Sequence, residues 1–235
     1  MTAIAMVLAA GRGERMRPLS AVLPKPALPL LEQPVIASAI NLAAAADCRR
    51  IVVNAWHLTK LLERSLEEID TSTPVAVSRE PELMGTAGGL ALARERGLLG
   101  DDGPVLVING DGLLNLDLKP LFERMANSGD LISLALLPHL DPKRWSRIVL
   151  EADQSVAKII AAGDPKPGEV TFLYPGVMLV SRQTLDSIDL RPGGVPEQLW
   201  GPALAARKLG GVPVSGHWRE IGTPSAYLEA VMGRL

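Results

Sequence analysis

Cysteine is almost absent from this sequence, and long apolar runs are absent altogether. Cys48 is the only cysteine in 235 residues, so no disulfide can form within the chain. This cysteine content fits a reducing compartment, and we expect a cytoplasmic protein. The first apolar run, Ile4–Ala10, is too short to span a bilayer and lacks the basic lead-in of a signal peptide. Nothing in the sequence therefore predicts export or membrane insertion.

An excess of charge of one sign is also lacking. The chain has 24 Lys and Arg residues against 26 Asp and Glu residues, a formal net charge of -2. This balance gives no electrostatic reason to expect nucleic acid or an anionic membrane as a partner, although a few local basic residues can still bind a small anion. Hydrophobic residues make up 47% of the chain, enough for a sizeable core. No apolar helix face is left over for an interface, so the oligomeric state stays open.

Internal repeats and low-complexity segments are missing too, and short apolar runs alternate with helical segments. This pattern predicts an α/β fold with a largely parallel sheet flanked by helices. Buried strands are predicted in the first half at Ile4–Ala9, Arg50–Asn54, Val75–Ser78 and Val105–Asn109. Helices are predicted between them at Val35–Ala46, Thr59–Ile69 and Gly88–Leu98, with Pro34 in the first turn of the first helix.

The second half is poorer in predicted helices. Its strand candidates are Leu131–Leu137, Ile148–Leu150, Val156–Ile160 and Leu173–Val180. Its predicted helices are Pro196–Lys208 and Ser225–Arg234. The second half is therefore predicted to extend the sheet that the first half begins.

A glycine turn follows the first predicted strand in the segment Leu8–Met16. Gly11 and Gly13 are spaced for a tight turn whose backbone N–H groups can approach phosphate oxygens closely. Arg15 can add a charge-assisted contact to a polyphosphate, and Lys25 stands between two prolines that fix its backbone. The third glycine of the dinucleotide fingerprint and the Gly-Lys-Ser/Thr of a Walker loop are both absent. A Gly-x-Gly turn alone also occurs without any phosphate.

The run from Leu8 to Pro26 resembles the signature of the sugar-1-phosphate nucleotidylyltransferases, which is Leu-Ala-Ala-Gly-x-Gly-x-Arg-Met/Leu followed by Pro-Leu and Lys-Pro. The resemblance implies a single Rossmann-like domain over residues 1–235, with a mixed, mostly parallel sheet of the nucleotide-diphospho-sugar transferase type. A nucleotide-binding half would end near residue 130, and a sugar-phosphate-binding half would occupy about 131–235.

The same resemblance implies roles for the residues of the glycine loop. The loop surrounds the triphosphate, Arg15 holds the phosphates and Lys25 contacts the reacting phosphate. The nucleotide-binding positions implied in the loop are Leu8, Ala10, Gly11 and Gly13.

A second segment, Glu80–Gly89, resembles the Glu-x-x-x-x-Gly-Thr-Ala-Gly motif of the family, which lies against base and ribose. The resemblance makes Glu80 and Thr86 candidates for base contacts and Gly88 a candidate for close backbone approach. Thr86 is also the residue type that caps a helix N-terminus, and both readings can hold together.

Asp111 follows the apolar strand that ends at Asn109. Ligands of open α/β sheets bind at the carboxyl ends of strands. The resemblance makes Asp111 a ligand of the magnesium ion (Mg²⁺) and Asn109 a nucleotide-binding residue. An isolated aspartate at a strand end is otherwise often a turn or helix cap.

Near the end of the chain, Trp218–Pro224 resembles the family segment Trp-x-Asp-Ile/Val-Gly-Thr-Pro, in which the aspartate is the second metal ligand. This chain has Glu220 at that position. Glutamate supplies the same hard oxygen but is one methylene longer, and magnesium demands tight octahedral geometry. The resemblance makes Glu220 a metal ligand, with slower turnover or an altered metal preference. The alternative is a structural glutamate beside the cap residue Thr223.

The sugar half matches the family least. Gly176 aligns with a glycine-containing strand that contacts the sugar in relatives. The Tyr-Gly pair of many relatives is replaced by Arg144-Trp145-Ser146, and no Glu-Lys-Pro segment is present. Lys158 or Lys166 could replace its lysine, and the sequence does not choose between them.

The resemblance implies an enzyme that couples a sugar 1-phosphate with a nucleoside triphosphate, GTP or UTP being favoured, and releases pyrophosphate. Two other classes stay open. A catalytically silent nucleotide-sugar-binding sensor or regulatory subunit would explain Glu220 and the missing Glu-Lys-Pro. A nicotinamide-dependent reductase would share a Rossmann fold, but the missing third glycine and the Arg15 and Lys25 pair argue against it.

Overall fold

A computed structural model describes residues 3–164, 166 and 168–233. The first seven strands are β1 (Ile4–Leu8), β2 (Pro29–Leu30), β3 (Gln33–Pro34), β4 (Ile51–Ala55), β5 (Val75–Arg79), β6 (Val105–Asn109) and β7 (Gly112–Leu116). The later strands are β8 (Ile132–Pro138), β9 (Arg147–Leu150), β10 (Val156–Ile160), β11 (Phe172–Leu173), β12 (Val177–Val180), β13 (Leu209–Pro213) and β14 (Gly216–Glu220). The α-helices are α1 (Leu19–Val22), α2 (Ala37–Ala45), α3 (Thr59–Glu67), α4 (Gly85–Glu95), α5 (Lys119–Ser128), α6 (Arg182–Ser187), α7 (Gly201–Ala205) and α8 (Pro224–Val231).

A ten-stranded mixed sheet runs through the molecule in the order β10-β9-β11-β8-β12-β6-β1-β4-β5, with β13 paired to β8. The strands β6, β1, β4 and β5 are parallel neighbours. β12 joins this group antiparallel to both β6 and β8, and β9 to β11 add further antiparallel pairs. The α/β fold with a mixed sheet flanked by helices is confirmed, as are the four strands predicted in the first half.

Continuous apolar sequences explain the parallel half of the sheet. In β1, Ala5 and Val7 pack into one hydrophobic cluster, while Ile4 and Met6 pack into another on the opposite face. Helices cover both faces, so these strands carry apolar residues at successive positions, as expected of buried parallel strands. Only their carboxyl ends are left for polar contacts, and those ends meet at one edge of the sheet.

The strand predicted at Leu173–Val180 is instead two strands, β11 and β12. Pro175 and Gly176 interrupt it, because proline lacks an N–H donor and Gly176 has a φ of +87°, in the left-handed region. The break allows β12 to pair with β6 while β11 pairs with β8 and β9.

Two helix predictions are corrected by the structure. Pro34 lies in β3, paired with Pro29, and α2 begins only at Ala37. The segment predicted as one helix at Pro196–Lys208 is a π-helical turn, Pro196–Trp200, followed by α7. The predicted C-terminal helix corresponds to α8, and its last predicted residue, Arg234, lies outside the described residues.

A two-stranded ribbon of β7 and β14, which the sequence did not predict, positions the end of the chain beside the glycine turn. Glu220 of β14 pairs in register with Gly112, the residue after Asp111. Met16 and Ile221 are fully buried in one hydrophobic cluster. Because these two residues directly follow Arg15 and Glu220, their burial together fixes both polar side chains near each other. In the described part of the chain, no helix is long and apolar enough to cross a membrane.

Candidate active site

An open cavity of about 680 Å³ lies at the carboxyl ends of β1, β4 and β6. Its volume is within the range of ordinary small-molecule sites. The sequence-predicted residues that line it are Leu8, Ala10, Gly11, Gly13, Arg15, Lys25, Thr86, Asn109 and Asp111. The fold thus brings together residues from three separate sequence motifs.

The glycine turn has two glycines in different roles. Gly13 adopts a left-handed conformation with φ 62°, and a Cβ there would lie 3.1 Å from Cβ of Ser20 and 3.2 Å from Cβ of Lys25. Ser20 holds the turn by donating a hydrogen bond of 2.7 Å to the Gly13 carbonyl. At Gly11, in contrast, an added Cβ would meet nothing within 4 Å. Protein packing therefore explains the glycine at position 13, whereas Gly11 leaves free space in the cavity.

Lys25 and Asp111 form an ion pair in the cavity wall. Nζ of Lys25 lies 2.7 Å from Oδ2 of Asp111. The lysine side chain is only 7% exposed, whereas the aspartate side chain is 43% exposed. The turn Lys25–Ala27 holds the lysine, because its carbonyl accepts a hydrogen bond from the Leu28 N–H at 3.2 Å. The buried Lys25 ammonium thus holds the more exposed Asp111 carboxylate at the cavity.

Glu220 lies behind the cavity-lining residue Gly222, where an added Cβ would be 2.6 Å from the glutamate carboxyl carbon. Its two oxygens are bound by two arginines. Nη2 of Arg15 lies 2.9 Å from Oε1, and Nη2 of Arg144 lies 3.3 Å from Oε2. The carboxylate is 12% exposed, and the arginine side chains are 64% and 52% exposed. Here the carboxylate is largely buried and both cations are exposed.

A buried hydrogen-bond chain supports the floor of the cavity. Asn54, at the end of β4, accepts from the Ala9 N–H at 2.7 Å and donates to Oε1 of Glu80 at 2.7 Å. The other oxygen of Glu80 accepts from the Met84 N–H at 3.0 Å, just before α4. Burial raises the pKa of the Glu80 carboxyl above its usual value, and the hydrogen bonds from Met84 and Asn54 oppose that rise. These hydrogen bonds connect the glycine turn to the start of α4.

Three predicted residues therefore differ from expectation in their surroundings. Glu80 is 7% exposed and lies beneath the cavity. Gly88 is packed against the Arg191 carbonyl, since a Cβ there would lie 2.5 Å from that oxygen. Gly176 lies under the Asn109 side chain, with its carbonyl accepting from the Asn109 N–H at 2.8 Å. Each of the three supports a neighbour instead of lining the cavity.

Sequence reasoning missed several residues of the site. Asn54 is a polar residue near the carboxyl end of the apolar strand β4, so its position close to a strand end is a signal that could have found it. Arg12 also lines the cavity, with its guanidinium 5.2 Å from the centre of the Trp56 ring. Arg144 reaches Glu220 from a loop, and no sequence pattern predicts that contact.

Comparison with known proteins gives a consistent result. The model of the nucleotidyl transferase family matches residues 4–235. Mannose-1-phosphate guanylyltransferase 1 of Arabidopsis thaliana is 29% identical over 227 residues, covering 95% of this chain and 62% of the relative. A mannose-1-phosphate guanyltransferase of Pichia angusta is 27% identical over 230 residues, covering 96% of this chain and 62% of the relative. The chain thus spans about three fifths of the length of these curated relatives.

Among solved structures, HddC from Yersinia pseudotuberculosis complexed with GMP-PN superimposes with a TM-score of 0.80 at 18% identity, with complete coverage of both chains. The two proteins therefore share one fold over the whole length of this chain. The cavity lies at the carboxyl ends of the strands, where open α/β sheets bind their ligands. With its sequence matched over residues 4–235, the chain belongs to the nucleotidyl transferase family. That assignment removes the nicotinamide-dependent reductase from the alternatives.

Proposed function

We propose that this chain is an enzyme that couples a sugar 1-phosphate with a nucleoside triphosphate, giving a nucleotide sugar and pyrophosphate. The observation that carries the proposal is the pairing of two carboxylates with two cations beside one glycine turn, Lys25 with Asp111 and Arg15 with Glu220. Such a site can neutralise a triphosphate and still provide oxygen ligands for a metal ion. The names of the relatives support GTP and mannose 1-phosphate as the first substrates to test, with UTP as the second nucleotide.

In this proposal the first half of the chain binds the nucleotide. Backbone groups of the glycine turn face the phosphates, and Arg15 contacts them with its exposed guanidinium. Thr86 and Asn109 line the cavity and are assigned to the nucleoside. The supporting residues Glu80, Gly88 and Gly176 act through their neighbours. The second half, from about residue 131, covers the sugar phosphate.

The reaction requires two anions to meet. An oxygen of the sugar phosphate attacks the α-phosphorus, the bond from that phosphorus to the bridging oxygen of the β-phosphate breaks, and pyrophosphate leaves with the electron pair. The nucleophile already carries negative charge, so no protein base is needed. Lys25, from a buried position, and Arg15, with its exposed guanidinium, lower the repulsion between the reactants by supplying positive charge.

Asp111 and Glu220 fit a divalent metal ion, which we propose to be Mg²⁺. Both supply hard carboxylate oxygens, and the register of β14 on β7 places Glu220 opposite the residue next to Asp111. The described residues contain no group of three or more His, Cys, Asp or Glu side chains that could hold a metal alone. Magnesium is commonly held by one or two carboxylates together with substrate phosphates. When bound, it would add positive charge to the triphosphate.

The test is pyrophosphate release in the presence of Mg²⁺, with four nucleoside triphosphates each paired with mannose 1-phosphate and glucose 1-phosphate. The proposal predicts release that depends on both substrates. Release that needs the triphosphate alone would indicate a hydrolase and contradict the proposal.

A catalytically silent nucleotide-sugar sensor is the second candidate, and one observation favours it. Both oxygens of Glu220 are bound by arginines, which compete with a metal ion for the same carboxylate. A sensor would bind GTP or a nucleotide sugar in calorimetry while releasing no pyrophosphate with any substrate pair. In that case Glu220→Asp would be the first variant to test for restored turnover.

A further inference from the structure

The loop between β8 and β9 reaches the site through one side chain. Arg144 on this loop contacts Oε2 of Glu220 at 3.3 Å, while Arg15 on the glycine turn contacts Oε1 at 2.9 Å. Two guanidinium groups, one from each half of the chain, therefore meet at a single carboxylate. That carboxylate is next to the cavity lining, since it covers Gly222.

This geometry describes a place where arginines already bind oxyanions. Guanidinium groups bind carboxylates and phosphates with the same planar set of donors. Both arginine side chains are more than half exposed, so water can solvate each guanidinium when it leaves the Glu220 carboxylate. Exchange of the Glu220 carboxylate for a substrate phosphate therefore costs little at either arginine.

The position of Arg144 is supported by an aromatic pair. Its guanidinium lies 4.6 Å from the centre of the Trp145 ring, within cation–π distance. Trp145 in turn packs edge to face against Trp218, with ring centres 5.2 Å apart. Trp218 belongs to β14, the strand that ends with Glu220. Arg144 is thus held on the ribbon that forms the site.

Three basic residues near Arg144 in this half, Lys143, Arg147 and Lys158, are paired with other carboxylates. Lys158 lies 3.6 Å from Glu169, and the same carboxylate is bound at 2.8 Å by Nη1 of buried Arg147. Lys143, next to Arg144, lies 2.8 Å from Asp164. Of these residues, Arg144 is the one that contacts a residue of the proposed catalytic site.

We propose that Arg144, supported by Trp145, binds the phosphate group of the sugar 1-phosphate. The proposal rests on the function proposed above and adds the residue that recognises its second substrate. Arg15 would then serve the triphosphate and Arg144 the sugar phosphate, and Glu220 holds both guanidinium groups until the substrates arrive. Lys158, which the sequence offered as an alternative, has no part in this contact.

The experiment compares Arg144→Gln, Arg144→Lys and the neighbouring control Lys143→Gln by steady-state pyrophosphate release. Loss of one charge-assisted contact predicts that Arg144→Gln raises KM for the sugar 1-phosphate about ten- to a hundredfold. KM for the triphosphate should change less than about twofold, because Arg15 is intact. Arg144→Lys should give an intermediate KM, since lysine keeps the charge but loses the planar fork. Lys143→Gln should match the wild type.

A purely structural role would give a different result. If Arg144 only holds Glu220, Arg144→Gln would raise the Mg²⁺ concentration needed for turnover and leave KM for the sugar 1-phosphate unchanged, which would overturn the proposal. An increase in this KM for Lys158→Gln instead of Arg144→Gln would also overturn it.

Direct binding separates this proposal from the proposed function. Mannose 1-phosphate and glucose 1-phosphate are titrated into each protein, with tryptophan fluorescence as the signal because Trp145 contacts Arg144. Binding by the wild type and Lys143→Gln, with weaker binding by Arg144→Gln, supports the proposal even if no substrate pair turns over. Equal binding by Arg144→Gln, or no binding by the wild type, overturns it whatever the turnover.

Discussion

The two acidic side chains of the candidate site are paired with cations in opposite ways. At Asp111 the protein buries the cation, Lys25, and leaves the carboxylate 43% exposed. At Glu220 it leaves the carboxylate only 12% exposed, and both partners, Arg15 and Arg144, are more than half exposed. The first pair is built around a fixed positive charge and the second around a fixed negative charge.

This difference assigns different tasks to the two pairs. A buried lysine held by a proline-flanked turn can stabilise charge that develops at one place, because it needs no reorganisation. Exposed arginines can instead exchange the Glu220 carboxylate for substrate phosphates as these enter. The predictions below test this contrast, beginning with the largest expected effect.

Removal of the fixed cation should have the largest effect on turnover. Lys25→Met keeps most of the buried stem and removes the charge, so we expect kcat to fall about a hundredfold or more. The Asp111 carboxylate is half exposed and can be solvated, so the free energy of unfolding should change little. Pyrophosphate release and urea unfolding measure the two quantities. Lys119→Met is the matched control, because the Lys119 side chain is 80% exposed. Unchanged kcat in Lys25→Met would refute the assignment.

The reciprocal change should affect both activity and stability. Asp111→Ala removes a proposed metal ligand and leaves the buried Lys25 ammonium without this partner. We expect a loss of turnover similar to that of Lys25→Met and, in addition, a loss of about 1–3 kcal/mol in the free energy of unfolding. Equal stability of the two variants in urea would contradict the contrast between a fixed cation and an exposed carboxylate.

The second pair should respond mainly through the metal ion. Glu220→Gln keeps the shape but removes the charge, so the Mg²⁺ concentration for half-maximal turnover should rise about tenfold or more. A Mg²⁺ titration of pyrophosphate release measures this shift. Glu229→Gln serves as control, because Glu229 is exposed and pairs with Arg219 at 2.9 Å. An unchanged titration curve would identify Glu220 as a structural residue.

The supporting hydrogen bonds should contribute to stability more than to chemistry. Asn54→Ala leaves the Ala9 N–H and the Glu80 carboxylate without their buried partner, at a cost of about 1–3 kcal/mol in the free energy of unfolding. Urea unfolding measures the cost. The exposed Asn127, which donates to the Glu123 carbonyl at 2.8 Å, gives the control variant Asn127→Ala. Equal stability of the two variants would show that the hydrogen bonds of Asn54 are not needed to hold the glycine turn.

The smallest predicted effect is a change in the pH dependence of stability. Because burial raises the pKa of Glu80 in the folded protein, the unfolded state loses this proton at a lower pH than the folded state. The free energy of unfolding should therefore fall as pH rises from the ordinary glutamate pKa, about 4.3, through the raised folded value. Glu80→Gln should reduce this fall, and the exposed neighbour variant Glu82→Gln should not. Parallel curves for Glu80→Gln and wild type would contradict the prediction.

Sequence reasoning was most successful where one local rule determines the structure. The buried strands are continuous apolar runs, and the glycine turn, Lys25 and Asp111 follow strand ends or prolines at short range. The ribbon of β7 and β14 was missed because its strands are about a hundred residues apart and Gly112–Leu116 lies close behind β6. Only tertiary structure brings these strands together.

The same limit applies within the site. Glu80 was expected to face the base, and the sequence could not show that its two oxygens are already bound by Asn54 and Met84. Arg144 was noted only as a departure from the family pattern, since its contact with Glu220 joins residues 76 positions apart. Local motifs predict which groups a site contains, whereas packing decides which of them line it.

The most direct test of the proposed reaction follows the phosphate oxygens of the sugar 1-phosphate. Wild-type protein is given GTP or UTP and a sugar 1-phosphate that carries ¹⁸O in its phosphate group, and the products are identified by mass spectrometry. Attack of the sugar phosphate on the α-phosphorus predicts that all the label appears in a nucleotide sugar and none in pyrophosphate. Labelled pyrophosphate, or nucleoside monophosphate formed with no nucleotide sugar, would contradict it.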